Sequence, residues 1–278
     1  MKNCDVEEVT DREVTEYSMM MHELGWHPNG MISRMTAIKG LFKWLKMKDF
    51  DIFDPELVAI PRRVYTQPRV VSEEEHKKLL TTLAELSGKA TKYRKARDKA
   101  ILCLLWDTGA RIGELLSLDV CDVNLQERQA VIKTKKSRGT KPFRQVFWTL
   151  ETSSAIQEWC DLRDEYFDAR VDLEDDDALF VRVGGNYFEG SGAGGRLKVS
   201  GFGQAMRVLS VKAELKQTVN AHSYRHHKGH DLTEKGANNS LISLVLGHVH
   251  MESSYRYTQI NDKKLETKAR GFLDQEEA

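Results

Sequence analysis

Apolar side chains recur at helical spacing over two stretches near the start of the chain, EVTEYSMMMHEL (13–24) and MISRMTAIKGLFKWLKM (31–47), separated by the breaker run GWHPNG. This predicts a small helical unit. Pro55, Pro61 and Pro68 then punctuate an Arg-rich stretch that reads as extended connector, because a residue preceding proline avoids the helical region. Ser72 with Glu75 three residues later forms a capping box and predicts a new helix through SEEEHKKLLTTLAEL. A further helix is expected from about Arg94 to Trp106, ending at Gly109, so that Arg111 stands at the start of a short helix. VCDVNL (120–125), QAVIKTK (129–135) and RQVFWTL (144–150) carry β-branched and aromatic residues between polar turns and predict a small antiparallel sheet. A helix over TSSAIQEWCDLRDEYF follows, then an acidic run and a glycine-rich segment, GGNYFEGSGAGGR (184–196), read as a mobile loop. From Phe202 onward the pattern is helical again, with Gly236 and Gly247 placed as helix stops. The fold class expected is mainly α with a small antiparallel β-sheet (α+β), divided as 1–60, a basic linker 61–69, and 70–278.

Composition changes this picture little. The 42 Lys and Arg balance the 42 Asp and Glu, so net charge gives no reason to expect a nucleic-acid partner and any basic surface must be local. Basic residues bunch at 61–69, 92–99 and 133–141, and acidic ones at 172–177; each run alone reads as a solvated face. Cys4, Cys103, Cys121 and Cys160 form no CxxC pair, and no secretory signal or long apolar span is present, which predicts a reduced, cytoplasmic protein without membrane contact. His222, His226, His227 and His230 cluster, but with neither a Cys nor an HExxH partner, so no metal is expected.

The residues that carry chemistry are Arg111 in TGARIGEL, His222 and Arg225 in HSYRH, His248 in LGH, and the tyrosines of SSYRYTQ. Metal-free attack on a phosphodiester needs fixed donors for the charge that builds on the non-bridging oxygens, and a guanidinium fork can bind two of them. Arg111 and Arg225 could clamp one phosphate if the fold brings them together; singly, each reads as a surface or ion-pair arginine. Glu114, three residues after Arg111, can orient its guanidinium, or else be a solvated helix carboxylate. His222 and Arg225 share one helix edge. A phenol suits the nucleophile's role, because its phosphate ester conserves bond energy for later attack by a DNA hydroxyl. Tyr255 and Tyr257 both qualify on residue type.

These motifs resemble those of the tyrosine recombinases of the phage-integrase and Xer type, over about residues 70–270. The first box of that family, TGxRxxEL, is here TGARIGEL; the second, HxLRH, is HSYRH; the third, LGH, stands unchanged at 246–248. Arg225 precedes His248 by 23 residues and His248 precedes Tyr257 by nine, intervals usual in the family, and YTQI resembles the YTH that follows its nucleophile. The resemblance implies a site-specific recombinase in which Tyr257, rather than Tyr255, attacks the scissile phosphate and leaves a 3′-phosphotyrosyl link. Arg111 and Arg225 stabilise the transition state, His222 and His248 assist, and a hairpin lysine protonates the leaving 5′ oxygen. Lys135 is ranked first for that role, ahead of Lys133 and Lys136. Arg62, Arg63, Arg69, Lys133, Lys136, Arg138 and Lys141 are implied contacts to DNA phosphates. The resemblance further implies a short core-binding (SAM-like) DNA-binding unit at 1–60, no cofactor, double-stranded DNA as partner, and a homotetramer on two DNA sites that is monomer or dimer off DNA. Accessory DNA-bending proteins and an exchanged C-terminal helix in DKKLETKARGF also belong to it.

Three departures stand out: Lys228 replaces the aromatic residue usual after the second box, the N-terminal region is short, and the interval from Arg111 to His222 is lengthened. Other classes that share the fold or the chemistry are a non-cleaving DNA-binding or regulatory protein and a type IB topoisomerase-like nicking enzyme.

Overall fold

The structure, a computed structural model, describes residues 5–64, 67–87, 91–133, 143–168, 177–184 and 194–247. The chain divides into two compact units, Met1–Gln67 and Pro68–Ala278.

In the first unit, α1 (Asp11–Glu23) starts at a capping box in which the Thr10 amide donates to Glu13 Oε2 at 2.8 Å. Gly25, at φ +71°, turns the chain, and α2 (Pro28–Lys46) opens with proline at its first position, where no amide donor is missed. Val14 and Met21 of α1 pack with Met31, Met35, Phe42 and Leu45 of α2 and with Val58 as one core. Lys39 and Lys43 both pair with Glu56, at 2.8 and 2.6 Å, which ties the 3-10 turn Pro55–Leu57 to α2.

In the second unit, α3 (Glu73–Glu85) begins at the capping box expected from sequence: the Glu75 amide donates to Ser72 Oγ at 3.2 Å and the Ser72 amide to Glu75 Oε2 at 3.0 Å. The centre is α4 (Thr91–Thr108), in which Ala100 to Leu105 are all buried. A helix apolar on every side must be surrounded, and α4 is flanked by α3, α6 (Leu150–Asp168) and α8 (Ala221–Glu234). The short α5 (Ile112–Leu115) follows the turn at Gly109. Strands β1 (Val123–Asn124), β2 (Gln129–Lys133) and β3 (Phe143–Phe147) form an antiparallel meander, with Ala130 opposite Val146 and Lys133 opposite Phe143. Its inward positions, Ala130, Ile132 and Val146, join the main core. The fold is thus mainly helical with a small antiparallel sheet. Helices α7 (Val199–Lys212), α8 and α9 (Asn239–Leu246) complete it, and Gly236 and Gly247 end the last two at φ +84° and +65°.

One expectation needs correcting. The end of the segment read as a loop is paired: the Arg182 amide donates to Gly195 O and the Gly194 amide to Arg182 O, both at 2.8 Å, and the Leu197 amide donates to Phe180 O at 2.8 Å. The partner stretch Ala178–Val181 is fully buried, its Ala178 and Leu179 carbonyls accepting from Arg163 Nε and Trp159 Nε1. Glycine content concealed this, since the apolar residues that anchor the ladder lie in the preceding ALFV and in Leu197.

Candidate active site

The site grows from the turn between α4 and α5. Thr108 Oγ1 donates to the Leu104 carbonyl at 2.5 Å and accepts from the Ala110 amide at 3.2 Å, which closes the end of α4. Gly109 then takes φ +56°, a left-handed conformation that costs glycine little. A Cβ there would stand 2.8 Å from both Leu246 Cδ2 and Lys228 Cβ, so α8 and α9 close directly on this turn. The buried carbonyl of Gly109 accepts from Arg225 Nη1 at 3.0 Å, across 116 positions of sequence.

Arg111 is the N-cap of α5. Its amide donates to Glu114 Oε2 at 3.1 Å and its Nη1 to Glu114 Oε1 at 2.9 Å. Glu114 has no exposed side-chain surface, which removes the reading of a solvated carboxylate, whereas Arg111 keeps 26% of its side chain accessible. A charge-assisted pair of this kind fixes the guanidinium plane while leaving its outer edge open to an anion.

α8 brings the other two groups. Asn220 caps it, its Oδ1 accepting from the His222 and Ser223 amides at 2.9 and 3.1 Å. His222 is exposed at the first turn, with its ring edge-on to His226, and Arg225 is buried one turn deeper. Arg111 and His222 line one cleft of about 290 Å³, walled on its apolar side by Ile112, Phe202 and Met206 and closed by Asn220. Three of the residues singled out in sequence, Arg111, His222 and Arg225, are therefore drawn to one place, with Glu114 beneath. Lys133 is exposed at the end of β2, and Arg62 and Arg63 are exposed in the first unit. Arg69 is instead engaged by Glu75 and the Val70 carbonyl. Lys135, Lys136, Arg138, Lys141, His248, Tyr255, Tyr257 and the C-terminal segment lie outside the described residues.

An aromatic stack ties α3, α4 and α8 together. His76 of α3 lies on Trp106 at 4.3 Å between centroids, and Trp106 lies on His227 at 3.8 Å. Tyr224 shares a hydrogen bond of 3.1 Å with His76 Nδ1. Burial pulls the His76 imidazole down to about 4 and lowers His227 too, so His76 is neutral at pH 7. Burial likewise pushes the Tyr224 phenol up, and with no accessible surface Tyr224 is core rather than a nucleophile. Lys228, the departure in the second box, lays its stem against Gly109 and directs its ammonium to Asp231 at 3.4 Å. Among the described residues no group of three His, Cys, Asp or Glu side chains could hold a metal ion.

Arg144 was not found from sequence. It donates from Nη2 to Glu114 Oε2 at 3.2 Å and from Nη1 to the Val245 carbonyl at 2.5 Å, with 9% of its side chain exposed. The signal was available in strand alternation: Arg144 shares the inward face of β3 with buried Val146, where an unpaired charge would be costly.

Residues 69–264 match the phage integrase family. Tyrosine recombinase XerD of Oceanobacillus iheyensis is 25% identical over 273 residues, covering 95% of this chain and 82% of that protein. Tyrosine recombinase XerC of Myxococcus xanthus is 27% identical over 240 residues, covering 86% and 74%. Among solved structures, XerH site-specific recombinase bound to palindromic difH substrate in a post-cleavage complex superposes with a TM-score of 0.70 at 20% identity, over 95% of this chain and 73% of that one. XerA recombinase gives a TM-score of 0.57 at 25% identity, over 97% and 86%. The chain belongs to the phage integrase family and is a tyrosine recombinase.

Proposed function

We propose that this chain is a site-specific DNA recombinase that cleaves one strand through a 3′-phosphotyrosyl intermediate and rejoins it to another. The Tyr257 oxygen attacks the scissile phosphorus and the bond to the 5′ oxygen breaks. That oxygen leaves with its electron pair and takes a proton from Lys135. Arg111 and Arg225 meet the charge on the non-bridging oxygens, while His222 and His248 hold and pass protons. Attack by a 5′-hydroxyl of a second duplex reverses the step, and since the ester conserves the bond energy, the cycle needs no ATP. Double-stranded DNA is the partner, held by Arg62, Arg63 and the basic hairpin 133–141, with Arg69 joining them only if it gives up Glu75. Four protomers on two sites carry out the exchange, with the segment 262–272 lent to a neighbour and DNA-bending proteins as accessories. The reading places the protein in the cytoplasm, on DNA; among the described residues no helix is long and apolar enough to cross a membrane.

What supports the reading is one observation: Arg111 and His222 line a single cleft, and Arg225 anchors the turn that presents Arg111. The test is covalent trapping on nicked suicide duplexes tiled from DNA flanking the gene, followed by mass mapping of the adducted peptide. Wild type forms an adduct on Tyr257, and Tyr257→Phe binds the same duplex without forming one. Adduct retained in Tyr257→Phe would move the nucleophile elsewhere; tight binding without adduct on any duplex would favour the non-cleaving class.

A further inference from the structure

Arg144 joins three parts of the site that are distant in sequence. It leaves β3, the strand that returns from the basic hairpin, and its fork ends on the Glu114 carboxylate and the Val245 carbonyl. The carbonyls of a helix's last turn have no partner within the helix and carry its negative end. Two cations meet that end of α9: Arg144 at Val245 O, 2.5 Å, and Arg111 at Gly247 O, 3.4 Å. The second contact is long, and it uses the same Nη1 that holds Glu114. The packing of Ile242 and Leu246 holds the body of α9, and an anion arriving at Arg111 competes with the Gly247 carbonyl, which leaves Arg144 as the cation that holds its C-terminal end. Backbone and side chain are closely fitted here, since a Cβ on Gly247 would stand 2.6 Å from Arg144 Nε. Gly247 is joined by its peptide bond to His248, so whatever fixes Gly247 limits where His248 can be.

We infer that Arg144 is a positioning residue for strand cleavage: by holding the C-terminal end of α9 against the Arg111–Glu114 pair, it sets the segment that leads into His248. A stabilising role alone explains it poorly, because a buried ion pair is often no more stabilising than a well-packed apolar residue of the same size. The inference rests on the recombinase reading above.

The experiment compares wild type, Arg144→Met, Arg144→Lys and, as a reference, Lys135→Ala in single-turnover cleavage with protein in excess, using suicide duplexes with either oxygen or sulfur at the 5′ bridging position. A thiolate leaves without protonation, so the sulfur substrate restores a rate lost through the general acid and no other loss. For Arg144→Met the rate constant is expected to fall about 100-fold, as misplacement by an ångström can cause, with reaction amplitude and DNA affinity retained. The sulfur substrate should not restore it. Arg144→Lys, which keeps one donor but not the fork, should fall between, and stands in if Arg144→Met does not fold. Three results would overturn the inference: an unchanged rate constant, a loss of amplitude alone, as a merely structural role predicts, or rescue by sulfur, which would place the action of Arg144 at the hairpin lysine. Absence of cleavage by wild type on both substrates would instead refute the recombinase reading, and the inference with it.

Discussion

At the scale of single residues, the site is built from charges whose partners lie far away in the chain. Glu114 is legible as a partner of Arg111 because the two are three apart, a spacing sequence displays directly, although Arg111 stands as N-cap with Glu114 at the third helical position rather than on one helix face. Its second partner, Arg144, is 30 positions away, and the carbonyl that Arg144 also holds is 101 away, so periodicity carried no sign of either. The same holds for the His76–Trp106–His227 stack, formed from three separate helices. That stack makes stability depend on pH with a definite sign. His76 has an ordinary value of 6.5 and is lowered to about 4 by burial, with His227 adding to the shift while Asp107 and Glu73 oppose it. The unfolded chain therefore binds the proton first, and stability is fully present above pH 6.5 and lost as pH falls towards 4. The loss is about 2 to 3 kcal/mol at the lower end. His227 and His230, also lowered by burial, act in the same direction. Replacing His76 by Phe keeps the stack and removes its titration, so the fall in urea midpoint between pH 7 and pH 5 should shrink. An undiminished fall in His76→Phe would show that the stack does not carry the effect.

At the scale of elements, features set by neighbouring residues are legible in the sequence, and features that depend on tertiary pairing are not. The α3 capping box and the meander of β1, β2 and β3 follow from side-chain types at short spacing. The pairing between 180–182 and 194–197 does not, because one side of it runs through Gly194 and Gly195, whose composition signals loop. Gly109 shows how an element boundary becomes a functional constraint. Its left-handed φ and the approach of Lys228 and Leu246 at 2.8 Å both exclude a side chain. Gly109→Ala should cost about 1–3 kcal/mol from the backbone alone, and more from the two contacts, seen as a lower urea midpoint. Gly40, exposed within α2 and with nothing within 4 Å of its would-be Cβ, is the contrasting case. Gly40→Ala should raise stability by about 0.5–1 kcal/mol, since alanine loses less entropy on entering a helix. Equal effects at the two positions would refute the assignment of a structural role to the turn before Arg111.

At the scale of the whole molecule, the main cores of the two units share no residue, and a small third cluster, Ile242 and Leu246, lies in the second unit. The second unit buries a continuous set from Val71 to Tyr224, whereas the first relies on seven side chains, Val14, Met21, Met31, Met35, Phe42, Leu45 and Val58. A unit of this size leaves a large share of its chain surface in water and is marginal by itself. It also exposes Leu41, Trp44 and Met47 on α2 and its C-terminal edge. Helical periodicity revealed the two helices of this unit but could not reveal how little they bury, because an apolar residue reads the same whether it is covered or not. Every residue assigned to cleavage, from Arg111 to Tyr257, falls within Pro68–Ala278. Unfolding should therefore proceed in two steps, the smaller unit first. The tryptophans separate the steps, since Trp26 and Trp44 lie in the first unit and Trp106, Trp148 and Trp159 in the second. A variant that keeps only the first pair should lose native fluorescence at lower urea than one that keeps only the other three. The fragment 68–278 should melt close to the later step of the full chain. Coincident transitions in the two tryptophan variants would mean that the units unfold as one, and that the site depends on the first unit for its stability.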